Sequence, residues 1–219
     1  MERELVNGAA KVARPEIEQA KHDRWEDKMK VVAINGSPRK KGNTSILINL
    51  VFKELEDEGI ETEFVQLGGR QIRGCLSCYK CFANKDCRCS NDKDELNEIL
   101  EKMIEADGII LASPTYFSNM TPEIKALMDR CGLVSSANGG LFIRKVGASL
   151  AVARRAGAVT TFDALNHFFL YNQMIVPGSC YWNVVIGLNP GDVENDEEGI
   201  HIVKTLGQNM AWLMKKVNA

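Results

Sequence analysis

The sequence predicts an α/β domain in which five parallel strands form one doubly wound sheet with helices on both faces. Three observations carry that reading: short apolar runs without polar alternation, amphipathic stretches of helical period, and regular alternation of the two from Lys30 to Val217. A strand lacking polar alternation is covered on both faces, as strands of parallel sheets are. Five strand–helix units in a row then give a parallel sheet flanked by helices. At 219 residues the chain is long enough for one such domain with a complete core, and short for two.

Val31, Val32, Ala33 and Ile34 make the first strand. A helix over residues 44–58 follows, with Ile46, Leu47, Leu50, Val51 and Leu55 at helical spacing and Gly59 just past its end. Residues 62–67 are the second strand, and a helix over 93–106 stacks Leu96, Ile99, Leu100, Met103 and Ile104 on one stripe. The third strand is expected over 108–112, a helix over 122–131, the fourth strand over 146–152 and a helix over 159–173. Residues 174–177 are expected to supply the fifth strand, with the apolar and aromatic run 179–188 after it. Residues 198–217 close the chain as a helix with Ile202, Leu206, Met210 and Leu213 aligned. Residues 1–28 are charged, weakly helical and interrupted by Pro15, so they read as an N-terminal arm to a domain spanning 29–219.

A formal net charge of -2 with 26% charged residues argues against a nucleic-acid surface and leaves no polybasic membrane anchor. No apolar run approaches the roughly 20 residues of a membrane span. Met1, Glu2, Arg3 and Glu4 put charge where a signal peptide needs an apolar stretch, so a cytoplasmic location is expected.

Chemistry concentrates in three places. A cysteine-rich loop at 73–92 contains Cys75, Cys78, Cys81 and Cys87, a Cys-x2-Cys-x2-Cys-x5-Cys run. Four thiolates hold an iron–sulfur cluster, and two-residue gaps let one loop wrap three corners before a longer gap carries the fourth ligand in. A structural zinc site usually splits its ligands into two separated pairs, disulfides need an oxidising compartment, and a loop of free thiols binds nothing. A [4Fe–4S] cluster leads among these readings, and Cys89 stands close enough to replace Cys87 as fourth ligand.

The second place is the loop after the first strand, which runs into a helix N-terminus. Backbone N–H groups and the positive end of a helix dipole converge there, which suits a phosphate. Ser37, Thr44 and Ser45 add hydroxyls, Asn43 an amide and Arg39 a cation. Neither the Gly-Lys-Ser/Thr ending of a Walker A loop nor a Gly-x-Gly-x-x-Gly is present, so a monophosphate ligand is favoured over a plain helix-capping turn. Third, the loop after the third strand, with Pro114, Thr115, Tyr116, Phe117, Ser118 and Asn119, lies beside it at the carboxyl edge of such a sheet, where ligands bind. Tyr116 and Phe117 can flank a flat ring while Ser118 and Asn119 bond its polar edge; for Phe117 core packing is the alternative. The loop after the fourth strand brings Arg154, Arg155 and Gly157 to the same edge, two cations that either stabilise the anionic reduced form of a flavin or are ordinary surface arginines.

The Gly-Ser-Pro-Arg-x-x-Gly-Asn-Thr-Ser loop at 36–45, the Ala-Asp-Gly-Ile-Ile-Leu-Ala-Ser-Pro-Thr-Tyr-Phe segment at 106–117 and the cysteine run between them together resemble the flavodoxin-like NADPH-dependent FMN reductase superfamily, and within it the iron–sulfur flavoprotein branch. The resemblance covers about residues 30–217. It implies a flavodoxin-like fold with strand order 2-1-3-4-5. It also implies FMN held at its phosphate by Ser37, Arg39, Asn43, Thr44 and Ser45 and at its ring by residues 114–119, with a [4Fe–4S] cluster on Cys75, Cys78, Cys81 and Cys87. A homodimer or homotetramer bringing cluster and flavin together across subunits is implied as well. The function expected is an FMN-dependent oxidoreductase that couples flavin to the cluster, with NAD(P)H or a ferredoxin-like carrier as redox partner. Two rivals stand beside it: an NAD(P)H-dependent FMN, quinone or nitro reductase without a functional cluster, and an electron carrier or redox-sensing module without a substrate. His22, His167 and His201 are scattered, so no side chain is assigned as acid, base or nucleophile.

Overall fold

The computed structural model describes residues 28–218, so the arm expected over residues 1–28 lies, but for its last residue, outside the described residues. Strands β1 (Lys30–Asn35), β2 (Glu61–Gln66), β3 (Gly108–Pro114), β4 (Val146–Ala153) and β5 (Val184–Ile186) form one sheet of order β2-β1-β3-β4-β5. Every neighbouring pair is parallel. The helices are α1 (Asn43–Asp57), α2 (Lys80–Asn84), α3 (Leu96–Glu105), α4 (Pro122–Ala137), α5 (Ala158–Tyr171) and α6 (Glu197–Val217). The fold class and strand order read from the sequence hold.

Strand side chains alternate between two cores, as the two-residue period of a strand requires. Val31, Ala33, Ile110 and Leu150 pack with Leu47, Ile48 and Val51 of α1 and with Leu206 and Met210 of α6. Val32, Ile34, Ile109 and Leu111 face the other way, against Leu96 and Leu100 of α3, Ile124 and Leu127 of α4, and Phe168 and Phe169 of α5. Burial on both faces explains why β1, β3 and β4 show no polar alternation. The Gly36 N–H donates to the Ala112 carbonyl at 2.8 Å, tying the loop after β1 to the end of β3. Beyond these ends the chain departs toward opposite faces of the sheet, at the switch point where open α/β sheets bind ligands.

One strand lies elsewhere than expected. Residues 174–177 form no strand of their own; Ile175 makes a single parallel bridge to Val146. Its N–H donates to the Lys145 carbonyl and its carbonyl accepts from Gly147, each at 2.9 Å. Pro177 then offers no N–H to continue a ladder. The fifth strand comes after it, Val184–Ile186, pairing with Ala151–Ala153 inside the run read as post-strand. Both candidates are short apolar runs, and periodicity alone does not separate them. The sequence also gave no signal for α2 or for the 3-10 turn Asp192–Asn195. Among the described residues no helix is long and apolar enough to cross a membrane.

Candidate functional site

The loop from β1 to α1 folds on its own side chains. The Ser37 N–H donates to Asn35 Oδ1 at 3.1 Å, and the Arg39 N–H donates to Ser37 Oγ at 3.2 Å. Ser45 Oγ donates back to the Gly42 carbonyl at 2.8 Å. Helix α1 starts at Asn43 with no side chain capping its N–H groups, and the first four N–H groups of any helix have no partner inside it. An anion is the natural occupant of such an end. Ser37, Asn43, Thr44 and Ser45 are buried around it. Arg39 and Asn43 are also engaged from far along the chain: Arg39 donates to the Leu188 carbonyl at 2.9 Å, and Asn43 Oδ1 accepts the Gly191 N–H at 2.8 Å. The segment 187–192 is thereby strapped across the loop, an arrangement with no local signal in the sequence.

The loop after β3 is strained. Tyr116 and Asn119 exchange backbone hydrogen bonds at 2.8 and 3.0 Å around Phe117 and Ser118, which sit at φ 48° and 59°. Two successive left-handed residues make a type I′ turn, normally the province of Asn and Gly. Phe117 pays for this conformation without entering the core: its side chain is fully exposed, at 106%. Core packing, the alternative for Phe117, does not occur. Strain of this kind gathers where a loop presents side chains to a ligand. Close by in sequence, Thr115 Oγ1 is buried without a hydrogen-bond partner, a donor available to a bound group. Gly157 has φ +83°, and a Cβ there would lie 2.6 Å from Ser118 Oγ, so the loop after β4 packs directly on this turn. Arg154 is exposed beside it in sequence. Uncapped helix end, orphaned hydroxyl and projecting aromatics fit a ligand with one phosphate and one flat polar-edged ring.

In the cysteine loop Ser77, Tyr79, Lys85 and Cys87 all have positive φ, again a concentration of strain. Cys75, Cys78, Cys81 and Cys89 line one pocket together with Asn91 and Arg130. Cys87 does not: its backbone N–H and its Sγ both point to Asn138 Oδ1, at 3.1 and 3.6 Å. Cys75 Sγ accepts from the Ser77 N–H at 3.4 Å, and Cys78 Sγ lies 3.5 Å from Ser90 Oγ. The Ser90 hydroxyl and the Lys80 backbone N–H draw the Cys78 thiol toward ionisation, whereas burial pushes Cys81 and Cys87 up. Asn91 Nδ2 is buried without a partner. Among the described residues no three His, Cys, Asp or Glu side chains converge tightly enough to hold a single metal ion.

Arg130, on α4, went unnoticed in the sequence. It stands three residues after Leu127 and four before Val134, on the apolar stripe, which was the one available signal. Its buried guanidinium donates to Asp94 Oδ2 at 2.6 Å, to the Arg73 carbonyl at 3.1 Å, to the Asn91 carbonyl, and through Nε to Cys89 Sγ at 3.3 Å. One side chain thus joins both ends of the cysteine loop. Burial works against both charges, yet the hydrogen-bonded pair prevails: the Asp94 carboxyl is held below its usual range and the Arg130 guanidinium is raised.

The family described as NADPH-dependent FMN reductase matches residues 29–188. An iron-sulfur flavoprotein of Methanocaldococcus jannaschii is 39% identical over 196 residues, which cover 86% of this chain and 99% of that protein. Another iron-sulfur flavoprotein of the same organism is 33% identical over 198 residues, covering 86% and 98%. Among solved structures, RosB with bound 8-demethyl-8-formylriboflavin-5'-phosphate aligns with a TM-score of 0.69 at 20% identity, covering 86% of this chain and 80% of RosB. That last likeness is one of fold.

Proposed function

The chain belongs to the NADPH-dependent FMN reductase family and is a flavin-dependent oxidoreductase, and on that premise we propose that it pairs FMN at the carboxyl edge of the sheet with a [4Fe–4S] cluster in the cysteine loop. The first turn of α1, with Ser37, Arg39, Asn43, Thr44 and Ser45, receives the FMN phosphate. Pro114, Thr115, Tyr116, Phe117, Ser118 and Asn119 take the ring, and Arg154 and Gly157 bound it from the neighbouring loop. FMN is favoured over FAD because the site is built for one phosphate and no pyrophosphate motif accompanies it. Cys75, Cys78 and Cys81, with a fourth thiolate from Cys87 or Cys89, hold the cluster. A cluster exchanges single electrons and a flavin one or two, so the pair serves conversion between one-electron carriers and a two-electron substrate.

The chain's own contribution is orientation and charge. Thr115 Oγ1 offers a buried donor, Phe117 and Tyr116 present aromatic faces, and Arg154 brings positive charge to the same edge. NAD(P)H or a ferredoxin-like carrier is the proposed partner, in a cytoplasmic homodimer or homotetramer whose reduced thiols suit that compartment. The observation that carries the cluster reading is that four thiols line one pocket that also holds a buried guanidinium and an orphaned amide donor.

The test is the absorption spectrum of anaerobically purified protein, with extraction of its flavin and assay of iron and labile sulfide. FMN with about four iron and four sulfide per chain is expected. FAD alone refutes the phosphate assignment; zinc without sulfide makes the cysteines structural. Full turnover with NAD(P)H in iron-free protein assigns the chain to the simple two-electron reductases.

A further inference from the structure

The cysteine loop carries five thiols for the four corners of a cluster, and the spacing of the run gives no means of choosing between Cys87 and Cys89. We propose that Cys89, not Cys87, supplies the fourth thiolate, and that Arg130 is the residue that positions it. This rests on the cluster reading above.

The two candidates have opposite surroundings. Cys87 Sγ sits 3.6 Å from Asn138 Oδ1 as a donor. The amide cannot flip to suit a thiolate, because its Oδ1 also accepts the Cys87 N–H at 3.1 Å and its Nδ2 donates to the Val134 carbonyl at 2.8 Å. A proton-free sulfur at Cys87 would therefore face a fixed oxygen lone pair. Cys89 faces a cation instead: Arg130 Nε donates to its Sγ at 3.3 Å, the kind of charge-assisted bond that favours an anionic acceptor. The backbone at Cys89 is clamped too. Its N–H donates to Asn97 Oδ1 at 2.8 Å and its carbonyl accepts from Asn97 Nδ2 at 2.9 Å. Cys89 lines the pocket shared by Cys75, Cys78 and Cys81, and Cys87 is not among its walls.

Arg130 is not free to follow the sulfur. Three further acceptors, Asp94, the Arg73 carbonyl and the Asn91 carbonyl, fix its plane, so the Nε–H is aimed before any ligand arrives. Partners that orient and tune a ligand in this way set metal affinity and potential. A hydrogen bond to a ligating sulfur, from a positive group, favours the more negatively charged reduced state and raises the reduction potential. Asn91 Nδ2, buried and unpartnered at the same pocket, is a second donor on that side.

The experiment compares full-length wild type, Cys87→Ser and Cys89→Ser, each purified anaerobically and reconstituted with ferrous iron and sulfide. Iron, labile sulfide and the electron paramagnetic resonance of the reduced protein are read, with circular dichroism as a check of fold. Cys87→Ser is expected to keep the wild-type iron and sulfide, and Cys89→Ser to lose most of both. Loss in Cys87→Ser, whether alone or together with Cys89→Ser, overturns the assignment, and so does retention in both. Arg130→Lys preserves a cation for Asp94 but not the N–H···S geometry; its cluster is expected at a more negative midpoint potential with unchanged iron content. An unchanged potential removes Arg130 from the proposal. Wild type that takes up neither iron nor sulfide refutes the cluster reading itself, whereas a loaded wild type whose cluster Cys87→Ser abolishes refutes only the choice of Cys89.

Discussion

Replacing Asp94 by Ala strands Arg130. The two side chains are 3% and 0% exposed and meet at 2.6 Å, so the substitution leaves a guanidinium buried with no carboxylate. Breaking a buried pair from one side costs about 3–5 kcal/mol. Asp94 also accepts the Arg73 N–H at 3.0 Å and the Leu96 N–H at 3.3 Å, which places the expectation toward the upper end of that range. Against a total stability of about 5–15 kcal/mol this is a large fraction. At about 2–4 °C per kcal/mol for a chain of this size, thermal unfolding by circular dichroism at pH 7 should fall by roughly 6–20 °C. Hydrogen exchange should localise early opening to residues 73–94. The double variant Asp94→Leu/Arg130→Met, which removes both charges, should recover part of the loss, since apolar replacement of a buried pair is often neutral or better. The pair also fixes a pH dependence. Burial pushes the Asp94 carboxyl up, but Arg130 and the Arg73 and Leu96 N–H groups together hold it below its ordinary value. The folded state thus binds this proton less readily than the unfolded chain, whose Asp titrates near about 3.9. The contribution is fully present above about pH 4–5 and is lost as pH falls through the folded value. Asp94→Ala should lack this acid loss. A shift under about 2 °C at pH 7 with the wild-type acid profile intact would refute the reasoning.

Two other outcomes test the rest of the site. Gly157→Ala forces a side chain into φ +83° and against Ser118 Oγ; a cost of about 1–2 kcal/mol in that conformation should displace the Phe117–Ser118 turn and weaken FMN binding about tenfold in a fluorescence titration, with the far-ultraviolet spectrum unchanged. Equal affinity in variant and wild type would separate that loop from the flavin. Tyr181 and Trp182 are 56% and 49% exposed with their rings 4.8 Å apart, an apolar surface suited to a subunit contact. Light scattering at micromolar protein should give a dimer or larger that Trp182→Glu lowers to a monomer; a monomeric wild type with flavin bound would count against the assembly.

What the sequence disclosed follows how local each interaction is. β1, β3 and β4 are covered on both faces, and their unbroken apolar runs say so within a few residues. The uncapped α1 and the turn after β3 are each written in one contiguous stretch, so their residue types were readable in place. β5 was misplaced because it is a three-residue edge strand whose partner is chosen by how the chain returns after Pro177, not by its composition. The choice between Cys87 and Cys89 was open for a similar reason. Their spacing is equally permissive, and what distinguishes them is Asn138 and Arg130, more than forty residues further along the chain.

That pattern bears on how the strained loops survive. Left-handed residues at Phe117 and Ser118, and at Ser77, Tyr79, Lys85 and Cys87, cost energy that the loops themselves do not return. The support arrives from distant sequence: Gly157 packs against the turn after β3, and Arg130 bonds to Arg73, Asn91, Asp94 and Cys89 in and beside the cysteine loop. The Leu188 and Gly191 contacts likewise tether Arg39 and Asn43 at the loop between β1 and α1, where no residue is left-handed. In the proposed sites a local motif would supply the ligand atoms, while a long-range tether fixes where they point. Substitutions in the tethers should change how a bound cofactor is oriented and tuned even where every ligand atom remains, because orientation is lost before any ligand atom is removed.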